Sequence, residues 1–115
     1  MVEVTRERFE ELVGEALDTI PPALTELIDN CVVLVEDESP DDPTLLGRYD
    51  GTPLTERGSG YTMAVPDRIT IFRRPLLAMC DSEECVVEEV GITVVHEIAH
   101  HFGIDDERLH ALGWS

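Results

Sequence analysis

Apolar side chains at Phe9, Val13, Ala16, Leu17 and Ile20 recur at helical spacing behind Thr5, which predicts an amphipathic helix over residues 5–19. Pro21-Pro22 ends it, and 23–28 offers a further short helical piece. The continuous apolar run Cys31–Val35 reads as a strand, and the acidic stretch EDESPDDP after it as a solvated loop. Leu45–Tyr49 is a weaker strand that ends at an Asp50-Gly51 turn. Residues 52–60 show no periodicity. Tyr61–Val65 and Arg68–Arg73 read as two paired strands broken at Pro66-Asp67, with the Arg73-Arg74 pair as an exposed strand end. Pro75 opens a short segment of one or two helical turns.

The strongest periodic signal comes last. Val86, Val87, Val90, Val94 and Ile98 define the buried face of a long helix. Asp81 or Ser82 caps it, Glu83 and Glu84 suit its positive end, and Gly103 stops it after Phe102. A short helix over 106–112 closes the chain.

Composition narrows the function classes. The 115 residues are 43% apolar and carry 25 acidic side chains against 8 basic ones, a net charge of -17. All the basic residues are Arg. Such a surface repels nucleic acid and anionic membranes, and no apolar run approaches the ~18 residues of a membrane span. The charge favours solubility, with a taste for basic substrates as the functional alternative. The N-terminal MVEVTRERFEEL lacks the apolar core of a signal peptide. Cys31, Cys80 and Cys85 are odd in number, and none has a close zinc-type partner. They are expected to be reduced, mostly buried thiols of a cytoplasmic protein, with a Cys80–Cys85 disulfide as the alternative.

The chemistry lies in His96-Glu97-Ile98-Ala99-His100. Positions i and i+4 of a helix project about 40° apart, so both imidazoles reach one side. Two neutral imidazoles at that spacing suit Zn²⁺. Glu97, beside the first, is placed to act as general base on a metal-activated water. A composition-only shuffle yields HExxH about once in 60 chains. The motif continues through Gly103 to Asp106, and the extended pattern arises roughly once in several thousand. Gly103 tolerates a left-handed turn and brings the chain back within three residues. Asp106 is thereby placed as third ligand, and Asp105 as a helix cap or a solvated carboxylate. Three protein ligands with one open position mark a catalytic rather than a structural zinc. His101 points about 100° away from His100, to the surface. If 106–112 is helical, His110 shares a face with Asp106 and is the candidate oxyanion donor; Tyr49 and Tyr61 are the phenols available for the same role.

The stretches LLGRYDGTPLTER, PDRITIFRRPL and VVHEIAHHFGIDDERLHALGW resemble the minimal zincin-like metallopeptidases, short bacterial relatives of the metzincins, across residues 30–115. The resemblance implies an α+β fold and one zincin-like domain over residues 1–115. In it a small mixed sheet packs against an N-terminal helix and the HExxH helix, and Zn²⁺ is held by His96, His100 and Asp106. Metzincins follow the third ligand with a methionine-bearing turn. No Met follows Asp106 here, and Met63 and Met79 lie upstream, so a reduced cleft suited to peptides or unfolded segments is expected.

The reading is therefore a zinc metallopeptidase with Glu97 as base, which takes a substrate strand along an edge; Tyr61–Val65, paired with Arg68–Arg73, is the candidate edge. The alternative is a non-catalytic, zinc-containing binding or regulatory domain on the same scaffold. Two imidazoles and one carboxylate also make the facial triad of Fe(II) oxygenases, although the helical HExxH spacing with Glu97 beside the first ligand argues for zinc.

Overall fold

The computed structural model describes residues 2–51 and 66–114. Helix α1 spans Arg6–Thr19. Thr5 caps it, its hydroxyl accepting from the Arg8 amide at 3.0 Å. Phe9, Leu12, Val13 and Ala16 form the buried side. Pro22 then occupies the first turn of α2, Pro22–Thr25, where a missing N–H costs nothing. One 3₁₀ turn, Glu26–Ile28, leads into the sheet.

Three strands are described: β1 Cys31–Glu36, β2 Gly47–Asp50 and β3 Asp67–Phe72, in the order β1-β3-β2. β1 runs parallel to β3, from Cys31 opposite Asp67 to Glu36 opposite Phe72. β2 runs antiparallel, with Tyr49 opposite Ile69. The fold is thus α+β with a small mixed sheet. The apolar run of β1 is not a fully buried strand. Its side chains alternate between half-buried and exposed, with Val32 and Leu34 on the open face. An outer strand has one covered face, and the pleat sends alternate residues away from it.

Tyr61–Val65 lies outside the described residues. Its expected partner β3 carries β1 along one edge and β2 along the other.

Arg73 is no exposed strand end either. It opens α3, Arg73–Ala78, and its guanidinium donates to Asp37 at 3.2 and 3.0 Å. Arg6 and Arg74 stand near the same carboxylate, so this part of the acidic loop is engaged rather than merely solvated. A chain with so few cations concentrates three of them on one anion.

The long helix α4, Glu83–Phe102, begins at Ser82, whose hydroxyl accepts from the Cys85 amide at 3.1 Å. Of the two candidate caps, Ser82 is the one used. Val86, Val90, Val94 and Ile98 are fully buried, while Val87 is only partly covered. The helix packs along α1 and against β2 and β3. It ends at Gly103, φ 65° and ψ 38°, the left-handed cap that glycine adopts without strain. Helix α5, Asp106–Ala111, follows. No described helix is long and apolar enough to cross a membrane.

Gly47 sets how closely β2 approaches α4. A Cβ there would stand 2.7 Å from Thr93 Cγ2 and 3.2 Å from the Thr70 carbonyl oxygen. Thr93 is β-branched and stiff, and Thr70 contributes backbone, so neither yields easily. Gly47→Ala is expected to destabilise the fold by about 1–3 kcal/mol despite alanine's lower entropy cost in a strand. Urea unfolding checks it, and a neutral or stabilised variant would show that the strand shifts freely.

Acid should loosen the same architecture at defined points. The Arg73 hydrogen bond holds Asp37 below its ordinary 3.8, and Arg8 holds Glu83 below 4.5. Carboxylates with depressed values stabilise the fold above their unfolded values and lose that contribution as pH falls through the folded ones. Stability should therefore decline below about pH 4.5. Asp37→Asn should weaken that decline, as thermal melts between pH 3 and 7 would register.

Candidate active site

The motif side chains follow from the helix that carries them. With Val90, Val94 and Ile98 turned inward, Ile92, His96 and His100 at i, i+4 and i+8 make a stripe on another side of α4. Glu97, one residue beyond His96, turns towards β2 and is half-buried. The Tyr49 backbone amide donates to Glu97 Oε1 at 3.1 Å, which fixes one oxygen of the carboxylate.

Tyr49 is itself held on three sides. Its hydroxyl donates to Asp67 Oδ2 at 2.7 Å. Its ring stacks on His101 with centroids 3.8 Å apart, and Phe102 meets it edge-on at 6.0 Å. The phenol is thus committed to structure, and His101, exposed as expected, pins the end of the motif helix to β2. Tyr61 lies outside the described residues.

Two cavities adjoin this stripe. One, about 510 Å³, is lined by Ile92, Val95, His96, Asp106, Leu109, His110 and Trp114. The other, about 430 Å³, lies between residues 42–47 and α4, and takes in Asp42, Leu45, Leu46, Thr93, His96 and Glu97. Ile92 and His96 belong to both and form the wall between them.

Past Gly103 the two aspartates divide. Asp105 caps α5, accepting from the Arg108 amide at 2.8 Å. Asp106 is in the first turn of α5, exposed, and faces the cavity that also holds His96 and His110. The sequence-predicted residues are therefore only partly gathered. His96, Asp106 and His110 share one cavity, His96 and Glu97 share the other, and His100 is exposed one turn beyond His96. Among the described residues, no three His, Cys, Asp or Glu side chains stand close enough together to hold a metal ion. The donor types still suit Zn²⁺, being two imidazoles and a carboxylate on exposed side chains with rotameric freedom.

Three participants escape a reading of the sequence alone. Ile92 carries a usable signal, since it stands one turn before His96 on the same stripe. Asp42, at the mouth of the second cavity, is hidden in a loop of like residues. The Tyr49 amide leaves no sequence signal at all, being a backbone group in a four-residue strand.

Comparison with known proteins bears on the fold and the family. A solved structure of a conserved hypothetical protein from Thermus thermophilus shares the fold, with a TM-score of 0.56 at 23% identity over 86% of this chain and 94% of that one. No curated protein matches the sequence. The family model for zincin-like metallopeptidases matches residues 28–114, which take in every described strand and the whole motif helix; the chain belongs to the zincin-like metallopeptidase family.

Proposed function

We propose that this family member is a zinc-dependent peptidase. His96, His100 and Asp106 are its metal ligands, Glu97 its general base, and His110 the donor to the developing oxyanion. The observation that carries the reading is the place of His96 in the wall between two cavities, with Asp106 and His110 on one side and Glu97 on the other. Asp105 is already engaged by the Arg108 amide, which leaves Asp106 as the available carboxylate.

When bound, Zn²⁺ supplies Lewis acidity toward a scissile carbonyl and lowers the pKa of a water molecule. A carboxylate among three ligands leaves less positive charge at the metal than three imidazoles would, so this Lewis acidity is moderate. Glu97 removes the proton of the attacking water and returns it to the leaving amine. The Tyr49 amide keeps one of its oxygens oriented, so that Oε2 alone handles the proton. Ile92, Leu45 and Leu46 provide apolar surface for an extended peptide, and outer-strand backbone groups offer pairing without strong sequence preference. Peptides and unfolded protein segments are the substrate class.

The two aspartates separate ligation from folding. Asp106→Ala should lose zinc affinity with little loss of stability. Asp105→Ala should keep zinc and cost about 1 kcal/mol through the lost cap. Metal titration and denaturation of both variants decide the matter, and a reversed order would move the ligand to Asp105.

Glu97→Gln should keep zinc and fold while peptide hydrolysis falls by about 10²–10⁴-fold, the usual contribution of a general base. An unstructured, quenched-fluorescent peptide library is the suitable substrate. Equal turnover by the variant would remove Glu97 from the role. If the zinc-loaded parent cleaves nothing in the library, a non-catalytic binding role replaces hydrolysis.

A further inference from the structure

Cys80 and Cys85 meet at the joint between α3 and α4, at the end of the motif helix remote from Gly103. Cys85 precedes His96 by about 16 Å of helix rise. Their sulfurs stand 2.7 Å apart, between a covalent disulfide at about 2.05 Å and the ordinary contact of two thiols. Backbone bonds fix both residues. The Cys80 amide donates to the Leu77 carbonyl at 3.2 Å, the Val2 amide donates to the Cys80 carbonyl at 2.8 Å, and the Cys85 amide is held by the Ser82 cap. The two thiols differ in access, since Cys80 is fully buried and Cys85 half-buried. Cys31 lies on β1.

We propose that Cys80 and Cys85 are a modification site that closes to an intramolecular disulfide, with a low-molecular-weight disulfide such as oxidised glutathione as the oxidant. The Cys85 thiolate attacks one sulfur of the oxidant, expelling one small thiolate and leaving a mixed disulfide at Cys85. The Cys80 thiol then loses its proton and attacks Cys85 Sγ. The Sγ–Sγ bond forms as the mixed disulfide breaks, and the second small thiolate leaves. The protein pair is oxidised by two electrons, the oxidant is reduced by two, and the two protons end on the two released thiols. Burial, and then the neighbouring Cys85 thiol, push the Cys80 thiol up to about 12 in the reduced pair, which leaves the half-buried Cys85 to meet the oxidant first.

The bond would close a short loop at the root of the motif helix and remove freedom chiefly from the unfolded chain. None of this depends on peptidase activity.

The test uses the full chain, reduced and then incubated with oxidised glutathione. Thiol titration should fall from three groups to one, the intact mass should drop by about 2 Da, and peptide mapping should place the link between Cys80 and Cys85. The Tm should rise by roughly 4–10 °C and return on reduction. Cys31→Ser should reproduce the shift, and Cys85→Ser should abolish it. Retention of three titratable thiols, a glutathione adduct that persists on Cys85, or an unchanged Tm after closure would each overturn the proposal.

Discussion

Everything functional in this fold depends on the burial of one face of α4. Val86, Val90, Val94 and Ile98 recur every four residues and are all fully buried. Each is worth about 1.5–3 kcal/mol of apolar transfer. Turning the helix by one residue, about 100°, would expose that stripe and swing the motif out of register. The direction of Ile92, His96 and His100 is therefore set by the core rather than by any contact of their own. A short domain can present the imidazoles of its motif on the surface without a dedicated scaffold, because one helix carries both the core face and the candidate site.

The approach of β2 to that helix is the second constraint, and it explains why a four-residue strand matters. Gly47 admits Thr93 into close contact with the strand. That closeness brings the Tyr49 amide within hydrogen-bonding distance of Glu97. A backbone donor orients one oxygen of this carboxylate and adds no titrating group beside it. The stack of Tyr49 on His101 ties the same strand to the end of the motif helix. Glu97 is thus held from the sheet, whereas His96 and His100 are presented by the helix alone.

Legibility in the sequence follows the physics of each element. Helices α1 and α4 can be read to within a residue or so because a side-chain cap, a 3.6-residue period and a terminal glycine or proline all agree there. The candidate site is readable for the same reason: its residues lie on one such helix and the few residues after it. The sheet is harder. β2 is short, begins on a glycine and owes its place to α4, so a local pattern can neither fix its start nor show that it covers one edge of β3. The role of Arg73 is illegible because its partner Asp37 lies 36 residues away, and a charge pair at that separation has no local signature.

The two aspartates after Gly103 show how local geometry can assign roles to adjacent identical side chains. Asp105 is still extended, with φ -84° and ψ 172°, while Asp106 is already helical, so the first carboxylate is the one that can turn back to the free amides of the first turn. Asp105 takes that task. The cap then fixes where α5 begins, and with it the direction of Asp106 into the cavity beside His96 and of His110 one turn later. Gly103 is what makes this possible, since its left-handed conformation ends α4 abruptly enough for the next helix to start within three residues. The spacing from His100 to Asp106 thus accommodates a helix stop, a turn and a new cap with little chain to spare. A stretch of such fixed length is what these three steps require to bring Asp106 back beside His96.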